Sequence, residues 1–274
     1  MLPLIRTLYR GPFRHLVNLI GDANYRRWSS LETKYRLKPR YHEFITQIDG
    51  LQLSVPDSHS FLSSYKDIFR DEIYKFKTDT PQPYIIDIGS NIGLSVLFFK
   101  KIYPNAQITA IEADPHIFKY LKKNIHGNGF TDITLINKAA WDEDTTLKFS
   151  SKGADVSRIA YTGDENIVSV PAFNVSILLN NKPVDMLKID IEGAEKIVLE
   201  ACKNYLSNVN NLIVEYHSKV DEEQQLDKIL SILRKNDFRI HIHTINPSPT
   251  PLIKIHQHYG FDQQLNIFAW KTNH

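Results

Sequence analysis

Two stretches of the chain end in acidic and histidine side chains that can accept a proton. Asp190 and Glu192 follow one apolar run, and Glu215 and His217 lie at the end of another. Because alternate side chains of a strand point the same way, Glu215 and His217 should lie on one side of a sheet. A carboxylate or an imidazole can remove a proton from a hydroxyl group, and the intrinsic pKa of histidine suits neutral pH. We therefore take these four residues as candidate catalytic groups.

These candidates also have structural interpretations. Glu192 and Glu195 could stabilise the start of the helix that follows Gly193, in a pattern related to a capping box. His217 could be a polar residue at the end of a strand. Asp190 is harder to explain in this way, because it comes directly at the end of its apolar run. Asp190 is therefore the first candidate for a base or for a group that orients an acceptor.

Two sets of residues raise the question of a metal. Asp190, Glu215 and His217 could together hold a divalent cation, which would lower the pKa of a bound hydroxyl. His241 and His243 are alternate residues of a predicted strand, and two such histidines could take part in a zinc site. The sequence fixes no ligand distances for either set. We therefore favour no metal site and interpret the second pair as histidines in solvent or in an acceptor cleft.

A glycine-containing turn follows the apolar run of residues 84–88, which is typical of a buried parallel strand. Residues 94–103 have the pattern of a helix. A strand, a tight turn and a helix amino terminus form a cradle, because glycine permits close approach and the free N–H groups favour oxygen-rich ligands. The turn residues suited to this role are Asp87, Gly89, Asn91 and Gly93.

Glu112 ends the next predicted strand, about 20 residues beyond this turn. A carboxylate at this point can accept hydrogen bonds from both hydroxyls of a ribose. The turn lacks the middle glycine of the pattern that binds a pyrophosphate, and Asp87 adds a negative charge nearby. These features favour a nucleoside cofactor with a positively charged end, namely S-adenosylmethionine.

Four motifs between residues 87 and 217 resemble those of the FkbM family of S-adenosylmethionine-dependent methyltransferases. They are Asp87-Ile-Gly-Ser-Asn-Ile-Gly93, Ala110-Ile-Glu-Ala-Asp-Pro115, Leu187-Lys-Ile-Asp-Ile-Glu-Gly-Ala-Glu195 and Val214-Glu-Tyr-His217. The resemblance implies an α/β fold of the class I methyltransferase (Rossmann-like) type, with a seven-stranded, mostly parallel sheet and a closing antiparallel strand. It also implies methylation of a hydroxyl on a sugar, a glycan or a secondary metabolite.

The resemblance assigns cofactor contacts to individual residues. The turn residues Asp87, Gly89, Asn91 and Gly93 would lie along the methionine end, and Glu112 would bind the ribose. Ala140 and Trp141 follow the third strand, where the adenine is expected. Two alternatives remain, namely an NAD-linked oxidoreductase or epimerase on a similar sheet, and a non-catalytic nucleotide-binding module.

The elements that must position these residues alternate between strand and helix from residue 84 onward, which predicts a parallel sheet. We expect a methyltransferase domain over residues 80–274, with a helix over residues 221–236. The loop of residues 246–259 and the polar stretch of residues 150–166 are expected to form walls of the acceptor pocket.

Residues 1–79 are expected to form a helical N-terminal extension. Two amphipathic helices are predicted within residues 1–20, a hairpin within residues 42–55 and a helix over residues 61–77. In many cofactor-binding α/β enzymes a helix in the last of these positions lies over the ligand.

The charge is unevenly distributed along the chain. Residues 1–41 carry nine basic and two acidic side chains, a net charge of +7, and the other residues carry a net charge of −5. The overall charge of +2 predicts no nucleic-acid partner. The basic arm could contact a membrane surface or mediate dimerisation. With one cysteine and no apolar run of about 20 residues, we expect a cytoplasmic protein, with peripheral membrane contact as the alternative.

Overall fold

In the computed structural model of the chain, residues 15, 18–150, 158–159, 167–180 and 182–272 are described. Most of residues 1–20, where two helices are predicted, and most of the stretch 150–166 lie outside these residues. Within the described ranges, no helix combines the length and the apolar character needed to cross a membrane.

The N-terminal part of the described chain consists of a hairpin between two helices. The predicted hairpin is present as two antiparallel strands, and Asp49 and Gly50 form its turn with positive φ angles. Gly50 has a φ of 81°, which is the backbone conformation that a tight hairpin turn requires. These elements are α1 (Ala23–Arg36), β1 (Phe44–Ile48), β2 (Leu51–Val55) and α2 (Ser58–Tyr65).

The helix predicted over residues 61–77 has different limits in the structure. Helix α2 begins at Ser58 because the Asp57 side chain accepts a hydrogen bond from the N–H of Ser60. A π-helical turn, Lys66–Arg70, follows α2, and the helix does not continue to residue 77. The apolar spacing identified the helix, but the cap and the π turn determine its ends.

A seven-stranded sheet forms the centre of the rest of the chain and confirms the predicted fold class. Its strand order is β12-β13-β11-β10-β3-β4-β5, with β13 antiparallel to both of its neighbours. The central strands β3 and β10 are buried along their whole length, as expected of a parallel sheet covered on both faces. The sheet strands are β3 (Tyr84–Ile88), β4 (Gln107–Ile111), β5 (Thr134–Ile136), β10 (Val184–Ile189), β11 (Val209–Lys219), β12 (Arg239–Ile245) and β13 (Phe261–Trp270).

The helices between these strands agree with the sequence pattern, except that one helix begins later than expected. The helix expected over residues 221–236 begins only at Leu226, so the acidic residues before it lie outside the helix. Asp114 caps the second helix of the set by accepting hydrogen bonds from the N–H groups of His116 and Ile117. The helices are α3 (Leu94–Ile102), α4 (Pro115–Gly127), α5 (Glu195–Cys202) and α6 (Leu226–Lys235).

A second, four-stranded sheet lies between β5 and β10 in the chain, and its strand order is β6-β9-β7-β8. Phe149, Val170 and Ala172 form a small apolar cluster on this sheet with Ala139. These strands therefore form a sheet separate from the seven-stranded one. Its strands are β6 (Ala139–Trp141), β7 (Thr145–Ser150), β8 (Arg158–Ile159) and β9 (Ile167–Asn174).

Two asparagines join the hairpin to the central sheet region. Asn124 lies within α4, and Asn128 caps its C-terminal end. The buried Asn124 side chain accepts from the N–H of Ser54 at 2.7 Å and donates to the carbonyl groups of Ser54 and Ile92. Asn128 makes the same pair of bonds to Gln52 in a more exposed position. The Asn124 side chain thus ties the N-terminal segment to the turn after β3.

We predict that Asn124→Ala lowers the free energy of unfolding by about 1–3 kcal/mol, because it leaves buried backbone groups without partners. Asn128→Ala is the matched control, since water can replace its bonds to Gln52, and it should cost less than about 1 kcal/mol. Urea unfolding followed by circular dichroism measures both. Equal losses would mean that the buried bonds do not hold the hairpin to the sheet.

Candidate functional site

The turn after β3 brings the ends of β3, β4 and β10 together. The N–H groups of Gly89 and Ser90 both donate to the carbonyl of Ile111 at the end of β4. Gly89 has a φ of 79°, and a Cβ atom there would lie 1.7 Å from the carbonyl oxygen of Asp190. Only glycine fits this position, so the glycine in the turn allows the end of β10 to approach the turn closely.

A first cavity of about 750 Å³ opens beside this turn. Ile88 and Ile111 form part of its floor, and Leu147 and Phe149 of the small sheet form an apolar side. Five of the seven predicted cofactor residues line it, namely Gly89, Asn91, Glu112, Ala140 and Trp141.

Glu112 is held at the edge of this cavity by two backbone groups. Its Oε2 accepts from the N–H of Asn91, and its Oε1 accepts from the N–H of Asp114, both at 2.9 Å. Burial raises the pKa of the Glu112 carboxyl to about 7, against the opposing effect of these two bonds. The carboxylate is therefore fixed in orientation, and its charge state changes close to neutral pH.

Asp87 and Gly93, which the resemblance assigns to the methionine end, do not line the first cavity. Asp87 is fully buried, where one oxygen accepts from the Ser95 hydroxyl and the other lies 3.2 Å from Lys188 Nζ. Gly93 packs against α4, and a Cβ atom there would lie 2.8 Å from Leu121 Cδ1. Both residues thus support the turn from behind, because the interior of the protein supplies the counter-charge of Asp87.

A second and larger cavity, of about 1660 Å³, adjoins the first. The two cavities share Gly89, Asn91, Asp190 and Glu192 in their linings. Asp190 and Glu192 therefore lie at the junction, where a group in one cavity can meet a group in the other. Glu215 lines only the second cavity and not the first.

The N-terminal segment and the late loop both form walls of the second cavity. Ser60 and Phe61 of α2 line it on one side, and His258 and Tyr259 line it on the other. The Arg40 side chain spans these walls, because its guanidinium donates to Asp57 and to the Tyr259 hydroxyl. Three residues of the segment 246–259 thus line this cavity, namely Asn246, His258 and Tyr259, and most of residues 150–166 lie outside the described chain.

His217 lies in the middle of a cluster of carboxylates. Its Nδ1 donates to Glu195 Oε1 at 2.9 Å, since an ionised carboxylate can only accept. Its Nε2 lies 3.7 Å from Glu192 Oε2 and 3.6 Å from Glu215 Oε1. Lys188 Nζ lies 3.4 Å from Asp190 Oδ2 at the edge of the same cluster. The structure therefore brings all four predicted catalytic residues together.

The environment moves the pKa values of this cluster in different directions. Burial raises the pKa of Glu192 to about 8, and burial together with the charge of Glu215 raises the pKa of Asp190 to about 6. For His217, burial opposes protonation, but Glu192 and Glu195 outweigh it, so the pKa of the imidazole lies well above its usual value. The cluster therefore holds both proton donors and proton acceptors near neutral pH.

The two possible capping glutamates have different positions. Glu195 Oε1 accepts from the N–H of Gly193 at 2.9 Å and of Ile191 at 3.4 Å, so Glu195 does hold the segment before α5. Glu192 has a positive φ of 57°, and its side chain lies at the junction of the two cavities. Helix α5 has no side-chain cap, so Glu195 holds the preceding segment rather than capping the helix, and Glu192 is left as a cavity residue.

Several residues of the site were not found from the sequence. Lys188 was detectable as the one basic residue in a strand that must be buried. Gln264 and Asn266 line the second cavity from β13, and no motif marks them. His241 and His243 lie on one exposed face with their Nε2 atoms 2.8 Å apart. The described residues contain no third metal ligand grouped with that pair.

The chain is similar in sequence to known methyltransferases. The family model described as methyltransferase FkbM domain matches residues 87–240, more than half of the chain. Methyltransferase 1 of Beauveria bassiana is 28% identical over 177 residues, covering 55% of this chain and 71% of that protein. Methyltransferase sdnD of Sordaria araneosa is 28% identical over 203 residues, covering 61% and 78%. Hexuronic acid methyltransferase AglP of Haloferax volcanii is 28% identical over 157 residues, covering 53% and 60%.

We predict that Lys188→Met lowers the free energy of unfolding by about 3–5 kcal/mol, because it leaves the Asp87 carboxylate buried without its cation. The double variant Asp87→Asn, Lys188→Met should cost less than the sum of the two single variants. Urea unfolding measures all three.

Lys203→Met provides the control for this cycle. Lys203 pairs with Glu200 on the surface of α5, where both side chains are more than two-fifths exposed, so its loss should cost less than about 1 kcal/mol. Additive losses at Asp87 and Lys188 would show that the two buried groups do not depend on each other.

Proposed function

This chain belongs to the FkbM methyltransferase family, and on that premise we propose that it transfers a methyl group from S-adenosylmethionine to a hydroxyl group of a sugar, a glycan or a secondary metabolite. The observation that carries this proposal is the position of Asp190 and Glu192. They lie where the first cavity meets the second cavity. A methyl donor and an acceptor in these two spaces would meet beside groups that can accept a proton.

The lining of the first cavity fits S-adenosylmethionine. Glu112 offers a fixed carboxylate for the ribose hydroxyls, and Trp141, Leu147 and Phe149 offer apolar surface for the adenine. Gly89 lets the end of β10 approach the turn, so that Gly89 and Asp190 line the cavity together. When bound, this cofactor supplies an electrophilic methyl group on a positively charged sulfur. The acidic side chains at the junction favour that positive charge.

The second cavity supports a polar acceptor. Hydroxyl groups of Ser60, Ser63 and Ser64 line it together with the amides of Gln264 and Asn266. Such a lining can bind several hydroxyl groups of a sugar, whereas an apolar tunnel would suit a lipid. The similarity to a protein named as a hexuronic acid methyltransferase supports the same class of acceptor.

The chain's own residues prepare the hydroxyl for reaction. Asp190 accepts the hydroxyl proton, and its pKa of about 6 leaves it ionised at neutral pH. Glu192 and His217 lie next to it, and Glu195 holds the imidazole ring in one orientation. Helix α2 and the loop before β13 form walls of the second cavity.

We predict that the affinity for S-adenosylmethionine rises as the pH rises through about 7, because ionised Glu112 accepts hydroxyl hydrogen bonds more strongly. Glu112→Gln should remove this pH dependence and weaken binding by about tenfold or more at pH 8. Isothermal titration calorimetry measures both effects. Glu143→Gln, an exposed acidic residue outside the cavity lining, is the control. Absence of binding to the unaltered chain would contradict the proposed function.

We predict that Asp190→Asn lowers kcat for an accepted hydroxyl substrate by about 10²–10⁴-fold, because the general base is lost. S-adenosylmethionine should still bind to this variant, which separates a failure of chemistry from a failure of cofactor binding. Methyl transfer from labelled S-adenosylmethionine to a panel of sugars gives the rate. Glu223→Gln, 78% exposed at the surface, is the control, and full activity of Asp190→Asn would exclude Asp190 as the base.

A further inference from the structure

Three side chains at the junction of the cavities are arranged like the ligands of one ion. Asp190, Glu192 and His217 each offer one ligand atom, and these atoms all lie within 4.8 Å of one another. The Nε2 atom of His217 is 3.7 Å from Glu192 Oε2, which is too long for a hydrogen bond. Two ligands about 2.1 Å from a common ion are separated by about 3–4 Å. The gap between these atoms is therefore of the size that a cation fills.

The orientation of His217 is the one that a metal ligand needs. Its Nδ1 is bound to the buried Glu195 carboxylate at 2.9 Å, so its Nε2 is left facing the junction. Metal-binding histidines commonly donate their second ring nitrogen to a carboxylate, which fixes the ring and strengthens the ligand. Glu195 is itself fixed by the N–H of Gly193.

Two carbonyl oxygens beside this group accept no hydrogen bond from any described residue. They are Asn266 Oδ1, in a residue that is 8% exposed, and Gln264 Oε1. Both residues line the second cavity, and on β13 they lie directly opposite Glu215 and His217 of β11. Side chains in such cross-strand pairs share one face of the sheet. Buried acceptors without donors are costly, so they point to a positively charged or hydrogen-bond-donating occupant.

The charges around the junction are also unbalanced. Five carboxylates lie in contact with one another or with the two cationic side chains of the cluster. The cations are Lys188 and His217, and Lys188 is already engaged by Asp87 and the carbonyl of Gly89. Buried carboxylates require counter-charge, and the protein supplies less than they need. The carboxylates are those of Asp87, Asp190, Glu192, Glu195 and Glu215.

We propose that Asp190, Glu192 and His217 bind a divalent cation at the junction of the two cavities. Two carboxylates with one imidazole, close to amide oxygens, form a mostly oxygen donor set, which suits Mg²⁺ or Mn²⁺. The cation would take the place of the imidazole proton, because a ligating nitrogen must be neutral. The sequence left such a site unfavoured because no spacing was visible, and the fold supplies that spacing.

The role of this cation in methyl transfer rests on the proposed function, but its binding does not. An acceptor hydroxyl bound to a dication has a lowered pKa. Asp190 would use one oxygen for the cation, so its other oxygen can still accept the hydroxyl proton. Glu215 and Asn266 lie on the side of the second cavity, where they can orient the acceptor.

The test uses Mn²⁺ as the probe, without cofactor or acceptor, on the full chain after treatment with chelating resin. Electron paramagnetic resonance reports the free Mn²⁺ during a titration up to about 1 mM. We expect one saturable site per chain. Glu192→Gln and His217→Gln should each weaken that site by about tenfold or more, and Mg²⁺ should compete for it.

Asp67→Asn is the matched control, because Asp67 also lines the second cavity but is not one of the three proposed ligands. It should leave Mn²⁺ binding unchanged, and thermal melting checks that every variant is folded. Absence of saturable binding, or equal affinity in Glu192→Gln, His217→Gln and the unaltered chain, would overturn the proposal. Because no cofactor is present, either result is independent of whether S-adenosylmethionine binds.

Discussion

The buried contact between Lys188 and Asp87 is the interaction on which the rest of the site depends. The Lys188 side chain leaves β10, pairs with Asp87 on β3, donates to the carbonyl of Gly89 at 2.9 Å and reaches Asp190 at 3.4 Å. One cation thus joins the two central strands, the glycine turn and the junction of the cavities. Burial alone would lower the pKa of Lys188. The negative charges of Asp87 and Asp190 outweigh burial, so the pKa is raised and the lysine stays charged.

The environment gives similar carboxylates different tasks. Glu112 is held by two backbone N–H groups and faces the first cavity, while Glu195 is buried and serves to hold His217 and the segment before α5. Asp190 and Glu192 remain partly exposed at the junction, where they contact charged side chains rather than backbone groups. A group already bound by backbone donors is a fixed element, whereas one facing a cavity can bind a ligand or a proton.

The N-terminal segment contributes directly to the second cavity. Helix α2 and its cap Asp57 form one wall, and Arg40 links that wall to Tyr259 of the opposite loop. Parts of the wall of the second cavity therefore lie outside the family match, which covers residues 87–240.

The sequence by itself determined the class of fold, the cofactor turn and the residues at the strand ends. Apolar runs, helix caps and glycine positions are local signals, and the ends of parallel strands always meet at one edge of a sheet. Only the tertiary structure decided that Lys188 neutralises Asp87, that Glu195 holds His217, and that Gln264 and Asn266 lie opposite the cluster. These contacts join residues distant in the sequence or on strands whose register no local pattern fixes, and the charge of each group depends on what is buried beside it.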